Sequence, residues 1–310
     1  MVLVSSGDAV SAGASQLLRR LLTDEETYRR WWLPYAQRRR GEELHLGAVA
    51  AVLATYLGDI GELRQDQQGR ARVPRSLSDA VSRALLGRLS MRYLEWFVAA
   101  FEIRPEHRDE LWVTFAGDQG APGLTRAAAG DAPPTGGRGY RTVSLEDLHV
   151  VGADRVPQTH RTVQVVRALD PLRSYHLRFD TAALMVDVVR GGRPSAVYEA
   201  DQPGVWATDI HLHDTVAPGE TAVVEYCTVF GYPEPPPPLF RRAFSRTVGS
   251  VDLQVRFHPA QLPQHVWRAT WEGWADPPIE LVRQEVGADH TVHWSGTQVQ
   301  ETMIGFTWVW

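Results

Sequence analysis

The chain contains no lysine: all 32 basic residues among its 310 are arginine. A phosphate-binding loop of the Gly-x-x-x-x-Gly-Lys type needs a lysine, so this class of nucleotide-binding protein is excluded. No Gly-x-Ser-x-Gly segment is present either, which argues against a hydrolase with a nucleophile elbow. Each arginine offers a planar set of donors that suits phosphate groups and guanine edges.

Cysteine and long apolar runs are scarce as well. Cys227 is the single cysteine, so no disulfide can form within the chain. This favours a reducing compartment, and we predict a cytoplasmic location and a buried, inert thiol. No apolar run approaches the roughly 18 residues of a membrane span, and residues 1–14 do not follow the pattern of a secretory signal. We therefore expect no membrane partner.

Charge is unevenly distributed. The net charge of −5 argues against a general nucleic-acid binder. Residues 64–92, however, hold seven arginines against only Asp66 and Asp79. The positive charge is therefore concentrated in one short segment.

The chain changes character near residue 117. Apolar residues recur at helical spacing before it and alternate, as in strands, after residue 140. The residues between them are rich in Gly and Pro and predict a flexible linker. We predict a multidomain fold that combines α and all-β parts. Residues 1–116 would form an N-terminal helical bundle of helix-turn-helix type, residues 117–139 the linker, and residues 140–310 a C-terminal antiparallel β-sandwich.

Individual elements can be placed within these parts. Residues 44–63 carry a helical stripe, and residues 23–26 resemble a capping box that would open another helix. Candidate strands begin at Thr162, and the clearest covers residues 251–257, where apolar and polar residues alternate. Four tryptophans at alternating strand positions are predicted to share one core: Trp267, Trp271, Trp308 and Trp310.

Residues 73–90 carry the most informative pattern. They predict a serine-capped helix, a turn at Gly87 and a second helix that begins after Ser90. In a helix-turn-helix protein, residues near the start of the recognition helix contact base edges and phosphates. The residues predicted to bind DNA are Arg72, Arg75, Ser76, Ser78, Asp79, Ser82, Arg83 and Arg88.

This segment resembles XRE-type, lambda-repressor-like regulators. The resemblance rests on residues 78–88, which end in Gly87-Arg88, and on the aromatic and apolar helix of residues 93–101. It covers about residues 44–116. The resemblance implies a DNA-binding unit that acts as a homodimer. The insertion of Gln65–Arg72 departs from the short turn that the family shows before its recognition helix. The whole chain resembles multidomain proteins of actinobacterial type that place such a unit before a Trp-rich β domain.

Two alternatives remain. The helices could form a protein–protein module, which would make the chain a non-enzymatic adaptor in a signalling or defence assembly. Asp209, His211 and His213 alternate along one strand face and could hold a catalytic metal ion. Solvated histidines on a half-buried strand are more common than metal ligands.

These observations together predict a DNA-binding transcriptional regulator. Its partner would be double-stranded DNA, and its β domain would bind a protein or small molecule or mediate dimerisation. We expect no enzymatic activity, no catalytic residues, no metal and no cofactor.

Overall fold

The structure is a computed structural model that describes residues 11–36, 44–64, 72–118, 139–179, 183–200, 205–232, 235–273 and 276–310. It combines helices and strands, as the mixed α and β prediction requires. The chain divides into two compact units, Met1–Ala121 and Pro122–Trp310, and each is described separately here. Most of the predicted linker, residues 119–138, lies outside the described residues.

The first unit is helical in its described residues. Its helices are α1 (Ala12–Asp24), α2 (Glu26–Trp32), α3 (Leu46–Asp59), α4 (Arg75–Leu85), α5 (Met91–Ala100) and α6 (Pro105–Asp118), with a short 3-10 helix at Leu33–Tyr35 after α2. Their apolar faces are fully buried, with side chains such as Leu18, Leu53, Val81 and Phe97 at 0% exposure. Burial of these stripes explains why helices form at these positions.

A hydrogen bond links the start of α1 to the end of α6. The backbone N–H of Ala14 donates to Asp118 Oδ2 at 2.8 Å. The buried Ser11 hydroxyl donates to the carbonyl of Leu89 and accepts from its N–H. The first bond satisfies a backbone donor at the start of α1 that has no partner within the helix, and the Ser11 bonds hold the start of α1 against the segment before α5.

The connection before α4 is longer than the short turn of the XRE-type pattern. Residues 60–74 separate α3 from α4, where the family would have a short turn, and residues 65–71 among them lie outside the described residues. The predicted turn after α4 does occur: Gly87 has a φ of 103°, a conformation that favours glycine.

The second unit consists of strands in its described residues. The strands are β1 (Tyr140–Val151), β2 (Pro157–Ala168), β3 (Leu172–Phe179), β4 (Ala183–Arg190), β5 (Gly192–Pro194), β6 (Tyr198–Glu199), β7 (Trp206–Val216), β8 (Thr221–Phe230), β9 (Leu239–Phe244), β10 (Val248–Phe257), β11 (His265–Trp271), β12 (Glu280–Gln284), β13 (Thr291–Val299) and β14 (Thr302–Val309).

These strands pair into three sheets. Sheet I has the order β13-β10-β1-β2-β8-β4, sheet II the order β12-β11-β14-β9, and sheet III the order β3-β7-β5 with β6 also paired to β7. β1 and β10 are parallel, with Leu145 opposite Val251, and the other pairs are antiparallel. The parallel pair joins two segments that lie far apart in the chain.

Sheet I packs one face against both other sheets. Residues of β1, β10 and β13 share a hydrophobic cluster with β9, β11 and β14 of sheet II. Residues of β1, β2, β4 and β8 share a second cluster with β3 and β7 of sheet III. Polar side chains of the middle strands are buried on this same face of sheet I: Asp147, His149, His160, Thr162 and Gln164.

The four tryptophans do not share one core, contrary to the prediction. Trp308 lies in the cluster between sheets I and II, and Trp310 packs against it. Trp271 lies instead with Ala269 and Met303. In the β11–β14 pair Trp308 is opposite Val266, whereas Trp271 is opposite Met303. Side chains alternate between the faces of a sheet, so Trp271 and Trp308 point to opposite sides of sheet II.

No helix in the described parts of the chain combines the length and the apolar composition needed to cross a bilayer.

Candidate functional site

The predicted DNA-binding residues lie on and around α4. Arg72, Arg75, Ser76, Asp79, Arg83 and Arg88 are exposed, and Ser78 and Ser82 are half-buried. The apolar face of α4 is buried, with Val81 and Ala84 at 0% exposure. Arg75, Ser76, Ser78, Asp79, Ser82 and Arg83 thus lie on α4, Arg72 precedes it, and Arg88 lies in the turn between α4 and α5.

Two groups of polar side chains in the second unit each contain an aspartate beside a histidine. The first, called the buried cluster here, comprises Asp147 and His149 of β1, His160 and Thr162 of β2, and Arg242 of β9. The Thr162 hydroxyl donates to Asp147 Oδ1 at 2.6 Å, and His160 Nε2 lies 3.1 Å from the same oxygen. Arg242 Nε lies 3.3 Å from Asp147 Oδ2. The cluster therefore links the middle of sheet I to the edge strand of sheet II.

Burial and neighbouring charges shift the pKa values of Asp147 and His149 in the buried cluster. Burial alone would raise the pKa of Asp147, but the Arg242 guanidinium and His160 hold that pKa at about 2. Burial, together with the nearby His160, lowers the pKa of His149 to about 3. The His149 ring stacks on Phe240 with a centroid distance of 4.8 Å. The Asp147 side chain has 0% exposure, so a ligand in solvent cannot reach it.

The second group, called the outer-face cluster, comprises His176 and Arg178 of β3, Tyr198 of β6 and Asp209 of β7. His176 is directly opposite Asp209 in the strand register, and its Nδ1 lies 2.8 Å from Asp209 Oδ1. The Tyr198 hydroxyl donates to Asp209 Oδ2 at 2.9 Å. The His176 and Asp209 side chains are 24% and 18% exposed. This aspartate–histidine pair is therefore within reach of solvent.

The hydrogen bonds determine the tautomer of His176. Arg178 Nε donates to His176 Nε2 at 2.9 Å. A guanidinium can only donate, so Nε2 accepts and the ring proton of the neutral imidazole lies on Nδ1, facing the carboxylate. The hydrogen bond from His176 lowers the pKa of Asp209, burial opposes this effect, and Tyr198 adds to it. The arrangement is that of a carboxylate–imidazole dyad with an arginine on its outer nitrogen.

A second row of polar residues borders the dyad. Ser174 of β3 and Arg193 of β5 lie on either side of His211 of β7 in the register. All three are exposed. Residues two apart on a strand share a face, so this row is on the same face as His176 and Asp209 and about 7 Å from them along the strands.

The alternative of a metal ion held by Asp209, His211 and His213 is not supported by the geometry. Asp209 is engaged by His176 and Tyr198, whereas His211 and His213 extend along the strand into solvent. In the described residues no three His, Cys, Asp or Glu side chains form a group that could bind a metal ion. The described residues of the buried cluster form no such group either, and the Arg242 guanidinium lies beside the Asp147 carboxylate.

Sequence reasoning found Asp209 but missed its partners. His176 and Arg178 stand at polar positions of an alternating strand, and Asp209 stands at such a position on another. The missing information is the register that places His176 opposite Asp209, because that register depends on tertiary pairing. Tyr198 lies on a two-residue strand that leaves no periodic signal.

Comparisons with known proteins bear on the function. No protein-family model matches the chain, and no curated protein matches it. Among solved structures, an M1 zinc metallopeptidase from Deinococcus radiodurans matches 56% of this chain at 14% identity and a TM-score of 0.30. A candidate protease from Parabacteroides distasonis ATCC 8503 matches 55% at 9% identity and a TM-score of 0.35. This chain spans 43% and 40% of the lengths of those proteins, less than half in each case.

These matches are peptidases, and they overturn the prediction of a DNA-binding transcriptional regulator with a helix-turn-helix. The long separation of α3 from α4 is a physical reason for the error. The expectation of no enzymatic activity is contradicted by the same matches. The resemblance of residues 44–116 to XRE-type regulators stays a prediction.

The matches do not assign an activity to this chain. Both TM-scores lie below 0.5, and proteins of similar fold differ widely in function. The His-Glu-x-x-His motif that many zinc peptidases use does not occur in the 310 residues.

Proposed function

We propose that the second unit carries an acid–base site at the outer-face cluster that hydrolyses a small carbonyl ester or amide. The observation that carries this proposal is the hydrogen bond of 2.8 Å between Asp209 and His176, in a pair that solvent can reach. An oriented imidazole with a carboxylate on its inner nitrogen is a general base that many hydrolases use.

The proposed reaction begins with Arg178. This exposed side chain leaves His176 Nε2 and binds the carbonyl oxygen of the substrate. Nε2 then accepts a proton from water, and the resulting hydroxide forms a bond to the carbonyl carbon. Asp209 stabilises the imidazolium, and Arg178 stabilises the negative charge on the oxygen. Nε2 returns its proton to the leaving group as the carbon–oxygen or carbon–nitrogen bond breaks.

The proposal extends to the architecture that holds the site. The two hydrophobic clusters between sheet I and sheets II and III support a β-sandwich. The buried faces of the helices in the first unit support a helical bundle. Sheet III would then present the outer-face cluster on the surface of the sandwich. The predicted small-molecule partner of the β part corresponds to this substrate, and the predicted homodimer and cytoplasmic location stay predictions.

The test measures hydrolysis of 4-nitrophenyl acetate by the full chain between pH 5 and 9. We expect His176→Gln and Asp209→Asn each to lower kcat about a hundredfold, the usual contribution of a general base. Surface histidines produce a background rate, and His213→Gln on the same strand is the matched control.

His213→Gln should leave the rate unchanged, since His213 lies outside the cluster. A rate that stays the same in His176→Gln and Asp209→Asn would refute the proposal.

A further inference from the structure

We infer that the row of Ser174, His211 and Arg193 binds an oxyanion, so that the substrate of the proposed site carries a carboxylate or phosphate about 7 Å from the bond that reacts. The assignment of this oxyanion to a substrate rests on the proposed function. The anion site itself depends only on the three residues of the row.

The first argument is the register of the row. Arg193 is directly opposite His211 in the β5–β7 pair, and Ser174 is opposite His211 in the β3–β7 pair. Side chains at directly opposite positions have Cβ atoms about 5 Å apart and point to the same face. A guanidinium, an imidazole and a hydroxyl therefore converge from three neighbouring strands on one patch.

The second argument is charge. Arg193 has no carboxylate opposite it in the register, and none of the ion pairs among the described residues includes Arg193 or His211. The nearest carboxylate in the register, that of Asp209, already accepts hydrogen bonds from Tyr198 and His176. The row therefore offers donors and the positive charge of Arg193 to a ligand, while the Asp209 carboxylate, which interacts electrostatically with His211, is already held by Tyr198 and His176.

Other arginines of the same unit differ from Arg193 in their partners. Arg268 is paired with Glu280 at 3.1 Å, and Arg161 is paired with Glu225. Arg283 contacts His265, but that pair has no third donor from a neighbouring strand in the described register. Three donors of different types on adjacent strands match the two or three oxygens of a carboxylate or phosphate.

The position of the row relative to the dyad indicates which substrate shape would fit the site. The dyad and the row lie on the same face, and Asp209 and His211 are two residues apart on β7. An oxyanion held by Arg193 would place a linker of a few carbon atoms over Asp209 and bring the reacting carbonyl to His176. The row would thus act in substrate recognition, whereas the dyad would transfer protons.

The binding test uses NMR on the full chain with labelled histidine and arginine. Inorganic phosphate and acetate are titrated separately at constant ionic strength, and the ring signals of His211 and the Nε–H signal of Arg193 are followed. A saturable shift with phosphate alone assigns a phosphate-bearing substrate, and a shift with acetate assigns a carboxylate-bearing one. Arg193→Gln should weaken binding about tenfold, as expected for loss of one charge-assisted hydrogen bond.

The control is Arg246→Gln, an exposed arginine between β9 and β10 that should not change binding. Equal weakening by both variants, or the absence of a saturable shift with either anion, would overturn the inference.

A kinetic arm separates this inference from the proposed function. Hydrolysis of 4-nitrophenyl acetate is compared with that of the 4-nitrophenyl monoesters of succinate, glutarate and adipate. We expect KM to be about tenfold lower for the charged ester of best length. Arg193→Gln should remove that difference, whereas Arg246→Gln should keep it and leave the rate on the acetate ester unchanged.

Equal KM values for charged and neutral esters would refute the anion site and leave the dyad in place. Loss of all hydrolysis with intact phosphate or acetate binding would refute the dyad and leave the anion site in place.

Discussion

The second unit contains two aspartate–histidine pairs that share their chemistry and differ in their surroundings. Asp147 and His160 lie between sheets I and II, with the carboxylate at 0% exposure and Arg242 beside it. Asp209 and His176 lie on the outer face of sheet III at 18% and 24% exposure, and Tyr198 and Arg178 surround them. The same two residue types therefore occupy a closed environment and an open one.

The difference shows what burial does to such a pair. In the closed pair, the Arg242 counter-charge keeps the pKa of Asp147 low despite desolvation, and loss of that counter-charge affects the stability of the fold. In the open pair, solvent screens the charges, so a proton can move at little cost to the fold. We therefore assign a stabilising role to the buried cluster and a chemical role to the outer-face cluster.

The strongest test of the comparison is Arg242→Met. This change leaves the Asp147 carboxylate buried without its counter-charge, and we expect the free energy of unfolding to fall by about 4 kcal/mol. Hydrogen exchange of the β1 and β2 amides measures the loss in this unit.

The double variant Asp147→Asn with Arg242→Met should recover part of that stability, because the unpaired charge is gone. A single variant as stable as the wild type would show that the buried pair is not a stabilising element.

The second test is acid pH. The pKa of His149 is about 3 in the folded chain, against an ordinary value of 6.5. The unfolded chain therefore binds a proton below pH 6.5 that the folded chain excludes, and stability falls as the pH is lowered toward 3. At pH 4.5, about two units below the ordinary pKa of histidine, the unfolding free energy should be about 3 kcal/mol lower, because each unit corresponds to about 1.36 kcal/mol.

Asp147 also makes the folded state less stable as the pH falls, but it does so over a lower pH range. Its folded pKa of about 2 lies below the ordinary 3.8, so its stabilisation is lost only between those values. His149→Phe should flatten the unfolding profile between pH 6.5 and 4 and leave the steep loss below pH 4. An unchanged profile in that variant would contradict the assignment to His149.

The third test is Asp209→Asn, the counterpart in the open pair. We expect a loss of about 1 kcal/mol in unfolding free energy, since one charge-assisted hydrogen bond is weakened at a partly exposed position. Hydrogen exchange of the β7 amides measures it. A loss as large as that for Arg242→Met would show that the two pairs do not differ in role.

The smallest effect is expected for the double variant Arg75→Ala with Arg83→Ala in α4. Both side chains are exposed and belong to no ion pair among the described residues. The expected change in unfolding free energy is below about 0.5 kcal/mol, typical of exposed positions. Urea denaturation followed by circular dichroism checks this, and a larger loss would mean that these arginines support the first unit.

The comparison also explains which elements could be predicted from sequence. The alternation of Val251, Leu253, Val255 and Phe257 predicts a strand, and β10 covers those residues. β1 was missed, because Asp147 and His149 occupy buried positions where the pattern requires apolar residues. The polar residues that form the buried cluster are thus the reason that its strand was not recognised.

Local helix signals were informative in part. The glycine turn after α4 is present at Gly87. The predicted capping box at residues 23–26 is not: α1 continues to Asp24, and Glu25 precedes α2 without a side-chain cap. Packing of the buried Leu21 and Leu22 extends α1 past the residues that would begin the next helix. The outer-face cluster could not be predicted at all, because it depends on register between strands.

The parallel pairing of β1 with β10 has a consequence for synthesis of the protein. β1 is synthesised before both of its partners and can pair with β2 first, but its other edge stays open until residues 152–257, which end with β10, have been added. Translation adds roughly 5–20 residues each second, so this edge is exposed for several seconds. An open strand edge is a template for pairing with other chains. The polar inner face of β1 at Asp147 and His149 would make such pairing less favourable during that interval.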